Sequence, residues 1–209
     1  MRAGDTLVVV TEDHYFTAQP ASADERRLIP VALGGLDLEV ETATGIFSPG
    51  HVDLGTRVLL AQVPEPRGRV LDIGCGWGPI ALDAALRGAD DVTAIDVNER
   101  ALDLLRRNAD RIGRHHALAP VAAMRPEEVP AEATFDTIWS NPPIRIGKAA
   151  LHELLATWLP RLAPGGEAFL VVQRNLGADS LARWLADQGW GTVDKVGSSK
   201  GFRVLRVTA

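Results

Sequence analysis

Three short stretches hold residue types suited to chemistry: LDIGCGWGPIA (71–81), AIDV (94–97) and SNPPIRIGK (140–148). In the first, Gly74, Gly76 and Gly78 let backbone approach a ligand closely, and Pro79 can open the following helix at its first turn. The spacing is G-x-G-x-G, with Pro79 standing where a dinucleotide fold carries its third glycine, so this is not a pyrophosphate cradle. No Gly-Lys-Ser/Thr follows, which excludes a P-loop. Asp96 ends the next apolar run, where a carboxylate can accept both hydroxyls of a ribose; the alternative is a residue that starts the helix ERALDLL. Asp72, at the end of the preceding strand, is a ligand contact or a cap of the loop. Cys75 has no histidine nearby to activate it and is not a nucleophile. Taken alone, SNPPIRIGK reads as a turn.

The elements that must position these residues change character along the chain. LIPVAL (28–33) and LDLEVET (36–42), joined by Gly34-Gly35, read as a hairpin, preceded by a β segment TLVVV at 6–10. From residue 69 strands and helices alternate. RVLDIG, DVTAIDV, a weaker run near 117–123, FDTIWSN and EAFLVVQ are strands, the last introduced by a turn at Pro164-Gly165-Gly166. PIALDAALRG, ERALDLLRRNADRIG, KAALHELLATWL and SLARWLADQG are helices, and TVDKVG and FRVLRV close the chain around a turn at 198–201. The pattern predicts an α/β doubly wound, mostly parallel sheet with an N-terminal β extension. Ligands in such sheets sit at the carboxyl ends of strands near the topological switch, where the glycine loop falls.

Composition narrows the function classes. Hydrophobic residues make up 46% of 209 and charged residues 23%, as in ordinary globular proteins. No apolar run approaches the ~18 residues that span a bilayer, and the N-terminus, acidic at Asp5, is not a secretory pattern. The single cysteine excludes an internal disulfide and fits a reducing cytoplasm. Five histidines and this cysteine show no metal-ligand spacing, so no metal is expected. A net charge of −5 argues against a general nucleic-acid coat protein. The charge is uneven, however: residues 1–66 hold 4 Lys/Arg against 10 Asp/Glu, and residues 144–209 hold 9 against 5. A local basic surface near SNPPIRIGK is expected.

DIGCGWG, AIDV and SNPP together resemble the class I S-adenosylmethionine-dependent methyltransferases of the small-domain group, which methylate exocyclic or amide nitrogens. The segments DHYFTAQPAS (13–22) and TGIFSPGHVDLGTRVLL (44–60), with VVQRNLGADSLARWL and SSKGFRVLRV near the end, are similar to single-domain relatives of the 16S ribosomal RNA guanine-N2 methyltransferases. The likeness covers nearly the whole chain. It implies a seven-stranded Rossmann-like sheet with an antiparallel C-terminal strand. Residues 1–55 would form the β extension and opening segment, and 56–209 the methyltransferase domain, in one compact unit. S-adenosylmethionine would be the cofactor and ribosomal RNA or the small subunit the partner.

The resemblance also implies roles. Asp72, Gly74, Cys75, Gly76, Gly78, Asp96 and Val97 would hold the cofactor, with Phe47, Ser48 and Asp53 at its methionine end. For Asp53 a helix cap is the alternative. The family's usual acidic residue after the third strand is absent from VAAMRPEEVP, so Met124 or Glu127 would meet the adenine. Asn141 would be catalytic. A guanine amino group is a poor nucleophile, and its nitrogen must pyramidalise to attack; the Asn141 oxygen and adjoining carbonyls accept the amino protons. Pro142 biases Asn141 toward extended backbone, which preorganises those acceptors. Pro143 and Ile144 would meet the base, Ile144 lacking the roughly 1–3 kcal/mol of stacking that an aromatic residue there supplies. Arg145 and Lys148 would contact phosphate or a base edge, and His14 and Tyr15 the substrate entrance. The rival readings are a protein-glutamine methyltransferase of the release-factor type and a non-catalytic RNA-binding factor. A dehydrogenase is disfavoured by Pro79.

Overall fold

Gly34 and Gly35 close a hairpin of β1 (Arg26–Leu33) and β2 (Leu36–Ala43), with Leu33 opposite Leu36 across a two-residue loop. Its inward side chains alternate along each strand, and Ile29, Val31, Leu33, Leu38 and Val40 are buried. The computed structural model describes residues 19, 20 and 22–209, with the backbone but not the side chain of Arg145. The expected strand at 6–10, His14 and Tyr15 lie outside the described residues.

After the hairpin come α1 (Leu54–Leu60), β3 (Arg69–Ile73), α2 (Pro79–Leu86), β4 (Asp91–Ile95), α3 (Glu99–Gly113), β5 (Val121–Met124) and β6 (Phe135–Ser140). Then follow α4 (Lys148–Trp158), β7 (Leu162–Gln173), α5 (Ala178–Asp187), β8 (Thr192–Ser199) and β9 (Phe202–Thr208). The large sheet has the order β5-β4-β3-β6-β7-β9-β8. Pairing is parallel from β5 to β7, and β9 alone runs against its neighbours. The fold is therefore the doubly wound, mostly parallel sheet that the sequence pattern predicts, closed by an antiparallel C-terminal strand. The chain order reverses beside β3, which leaves a crevice at the carboxyl ends of β3 and β6.

Strand parity divides the core. Trp139, Phe169, Val171 and Val204 face the hairpin, α1, α2 and α3, while Ile138, Leu170, Val172 and Leu205 face α4 and α5. The hairpin is locked to the sheet side by polar contacts as well. Gly34 N donates to Asp83 Oδ1 at 2.7 Å. Fully buried Asn108 accepts Glu41 N at 2.7 Å and donates to the carbonyls of Glu41 (2.9 Å) and Trp77 (3.2 Å). One carboxamide thus joins β2, α3 and the glycine loop, satisfying backbone groups that would otherwise be buried without partners.

Two local features bear on readings from the sequence. Pro164-Gly165-Gly166 lies inside β7 as a bulge that makes the expected turn: Leu162 pairs with Phe135 and Glu167 already with Thr137, and Gly165 has φ 76°. The C-terminus pins this bulge, since Gly165 N donates to Ala209 O and Ala209 N to Gly166 O. Residues 54–60 form a helix too short to show a period; it is started by the Asp53 side chain, which accepts from Gly55 N and Thr56 N, so the helix-cap alternative for Asp53 holds.

Candidate functional site

The carboxyl ends of β3, β4 and β6 meet around one cavity of about 540 Å3. Buried Ser140 ties the two central ends together, its hydroxyl donating to the Ile73 carbonyl at 2.7 Å. Gly74 N and Cys75 N both donate to Ile95 O, at 2.9 and 3.0 Å, so the glycine loop is anchored on the end of β4. Asp96 follows there. One of its oxygens accepts Gly76 N and the other Asn98 N, each at 2.9 Å. Burial raises the Asp96 pKa above the usual carboxylate range, against the opposing pull of these backbone donors. A Cβ built on Gly74 or Gly76 would meet no atom within 4 Å, so this backbone borders open space that a ligand can fill.

Asn141 stands on the opposite wall. Its Nδ2 donates to Asp53 Oδ2 at 2.9 Å and to Thr56 Oγ1 at 3.1 Å. Buried Pro142 continues the wall, followed by Pro143 and Ile144, the latter opening a short 3-10 turn. The loop carrying Phe47 and Ser48 closes the cavity from the hairpin side, with Ser48 at φ 49° and its Oγ donating to His51 O at 2.8 Å. Left-handed backbone is uncommon outside glycine, and here it places the Ser48 carbonyl where Trp77 Nε1 donates to it. Phe47, Val97 and Leu176, 42%, 40% and 48% exposed, are three of the five large exposed apolar residues in the described chain, and all three line this cavity. An apolar hollow with a few converging polar groups is the usual form of a ligand site. A larger groove of about 790 Å3 between the hairpin and the end of α3 lies away from the strand ends.

Not every residue expected at the site reaches it. Asp72 is fully buried beneath the loop, where Oδ2 accepts Ala81 N at 3.0 Å and holds the start of α2. Its pKa is raised well above the usual range, by burial first and by the Asp96 charge in addition. It is a loop support in this position, not a wall residue. Gly78 packs against Leu105, which a Cβ would strike, and buried Cys75 has its thiol pKa pushed up by burial. Met124 packs on the α4 side of the core, and Pro126 takes the wall position there. Glu127 is exposed and engaged with Arg125. Lys148 is exposed at the start of α4, off the wall, and the Arg145 side chain is outside the description.

The reading of residue types missed Gln173, Leu176 and Phe202. Gln173 and Phe202 are register partners across β7 and β9, both on the wall. The available signal was a polar residue ending the apolar run EAFLVVQ at a carboxyl strand end. Among the described residues no cluster of three His, Cys, Asp or Glu could hold a metal, and no helix is long and apolar enough to cross a membrane.

The family model described as methyltransferase small domain matches residues 37–206. "Uncharacterized protein YbxB" of Bacillus subtilis (strain 168) is 32% identical over 197 residues, covering 93% of this chain and 97% of that one. The ribosomal RNA small subunit methyltransferase C of Chromohalobacter salexigens is 32% identical over 199 residues, 91% of this chain and 56% of that enzyme. Among solved structures, the T. thermophilus 16S rRNA N2 G1207 methyltransferase, in complex with AdoMet and guanosine, matches with TM-score 0.75 at 26% identity. That match covers 90% of this chain and 52% of the other. The chain spans nearly all of the Bacillus protein and about half the length of these two methyltransferases.

Proposed function

Because this chain belongs to the methyltransferase small-domain family, a group of S-adenosylmethionine-dependent enzymes, we propose that the atom it methylates is the exocyclic N2 of a guanine in 16S ribosomal RNA. The observation that supports this most is the placement of Asn141-Pro142-Pro143 across one cavity from Asp96 and Gly76. The residues fit the donor. Asp96 offers two oxygens to a ribose, the open backbone at Gly74 and Gly76 leaves room for the methionine portion, and Val97 and Pro126 give apolar walls for adenine. Bound there, S-adenosylmethionine supplies an electrophilic methyl group on a sulfonium.

What remains is positioning of the nucleophile, and this chain's own groups do that. The Asn141 oxygen and the carbonyls beside Pro142 accept the amino hydrogens, drawing the nitrogen lone pair out of conjugation with the ring. No strong base is needed, since the amine becomes acidic only as it gains the methyl. Ile144, Leu176 and Phe202 offer an apolar seat for a base. Gln173, whose side-chain amide makes no hydrogen bond among the described residues, offers a donor and an acceptor to a base edge. A ribosomal RNA substrate would put the reaction in the cytoplasm.

The test is transfer of radiolabelled methyl groups to small ribosomal subunits, their naked RNA and release factors, followed by digestion to nucleosides. N2-methylguanosine is the expected product, destroyed as a macromolecule by ribonuclease and not by protease. Asn141→Ala should lower turnover about 10²–10³-fold, as loss of a preorganised polar group does. Its S-adenosylmethionine affinity should stay within a few fold. Label in a glutamine side chain would overturn the reading in favour of a protein substrate.

A further inference from the structure

The amide of Asn141 can turn either its oxygen or its NH2 toward the cavity, and that choice decides which nucleophiles the site can hold. A carboxylate is an acceptor only. With Asp53 Oδ2 at 2.9 Å and Thr56 Oγ1 at 3.1 Å, the edge of the amide facing α1 is the NH2, and the oxygen is left for the cavity. We propose that Asp53-Leu54-Gly55-Thr56 is a positioning device that fixes this orientation. The site then takes nucleophiles that bring their own N–H donors, an exocyclic amine or a primary amide. It disfavours ring nitrogens that present a bare lone pair, which the Asn141 oxygen would repel. This rests on the functional reading of Asn141 given above and names the residues that enforce it.

Asp53 is itself held. The oxygen that receives Asn141 also accepts Gly55 N at 2.7 Å and Thr56 N at 3.3 Å, so the helix cap and the contact to Asn141 share one atom. Gly55 makes the approach possible. A Cβ there would stand 2.9 Å from the Phe202 ring, 3.0 Å from Asp53 Oδ2 and 3.3 Å from Asn141 Nδ2. Any larger residue would have to push α1 away from Asn141 and from the wall residue Phe202. A cap alone requires neither the second acceptor at Thr56 nor a glycine packed against two residues so distant in the chain. Both serve the orientation of the amide.

Asp53→Ser separates the two roles, because serine caps helices about as well as aspartate but is too short to reach Asn141. Thr56→Val removes the second acceptor at nearly constant shape. Three quantities are read: melting temperature, hydrogen exchange of the Asn141 side-chain amide by nitrogen-15 NMR, and turnover at saturating S-adenosylmethionine. The amide signals are identified by their absence in Asn141→Ala. Asp53→Ser should melt close to wild type and lose Asn141 amide protection. Its kcat should fall about 10- to 100-fold, the scale of a misplaced reacting group. In an Asn141→Ala background the same change should cost nothing further. Undiminished protection in Asp53→Ser, or a full additional loss of kcat without Asn141, would overturn the proposal. Protection lost with turnover intact would uphold the device and strike the functional reading of Asn141.

Discussion

Asp96 is held between two requirements. In the proposed role its carboxylate must be charged to accept ribose hydroxyls strongly, yet burial beside the glycine loop favours the neutral form and raises its pKa. The sign follows from linkage. A carboxyl whose folded pKa lies above its unfolded one binds a proton more readily in the folded state. Its contribution to stability therefore falls as pH rises from the ordinary carboxylate range through the raised value. Ligand hydroxyls favour the ionised form, so binding in that window releases a proton and weakens as pH falls through it. S-adenosylmethionine affinity should begin to drop at a pH above the ordinary carboxylate range. Asp96→Asn should bind about 1.5–3 kcal/mol more weakly at neutral pH, the size of a lost charge-assisted bond, and should lack the pH dependence. Calorimetry in buffers of different ionisation enthalpy measures both affinity and proton release. An unchanged acid limb in Asp96→Asn would assign the titration to another group.

Along the glycine loop, residues of one type do different work. Gly76 has φ 55° and bears its Cβ direction on open cavity, whereas Gly78 is backed by Leu105. Gly76→Ala should fold, at a cost of about 1 kcal/mol for left-handed backbone, and lose S-adenosylmethionine binding because the new methyl stands in ligand space. Gly78→Ala should show the reverse order, with a lower melting temperature first and weaker binding as its consequence. Thermal unfolding with and without ligand separates the two, and equal binding by Gly76→Ala and wild type would remove the loop from the ligand site. The G-x-G-x-G spacing itself was plain in the sequence, as were the hairpin and the strand-helix alternation, since each is a local pattern of period or turn chemistry. The partition of the glycines was not, because Leu105 reaches Gly78 only through packing of α3. The same limit hid the link from Asp53 to Asn141, 88 residues apart, and α1, which has two turns and no readable period. Met124 lies off the cavity wall for a smaller reason: a strand end one or two residues off exchanges wall for core, and the wall position falls to Pro126.

Across the whole molecule the uneven charge seen in the sequence resolves into two uses. Asp24, Glu39 and Glu41 of the acidic first third are paired with Arg26, Arg100, Arg107 and Arg111, so much of that charge seats the hairpin on α3. Exposed pairs of this kind add little stability singly. In the basic last third, Lys195 and Arg203 share Asp179, and Arg206 meets Glu167 and Asp194. Lys148, Arg174 and Lys200 are exposed and have no acidic partner among the described residues. Arg174 follows the wall residue Gln173, and its backbone N donates to Gly201 O at 2.8 Å, which brings the turn carrying Lys200 beside the cavity. Lys148 lies at the end of the nonapeptide on the other side. Under the proposed function, Arg174 and Lys200, next in the chain to the wall residues Gln173 and Phe202 or one removed, and Lys148 at the start of α4 would meet a polyanion entering over α4 and the β8–β9 turn. Replacing Arg145, Lys148 and Arg174 together by alanine should raise the RNA concentration needed for half-maximal rate. It should also flatten the log–log dependence of binding on salt by about 0.7 for each phosphate no longer neutralised, or about 2 for all three. S-adenosylmethionine affinity should hold within about twofold, because none of the three is among the residues proposed to hold the cofactor. An RNA salt slope equal to wild type would take these residues off the RNA path and shift the entry surface to the opposite rim, at Phe47 and the hairpin.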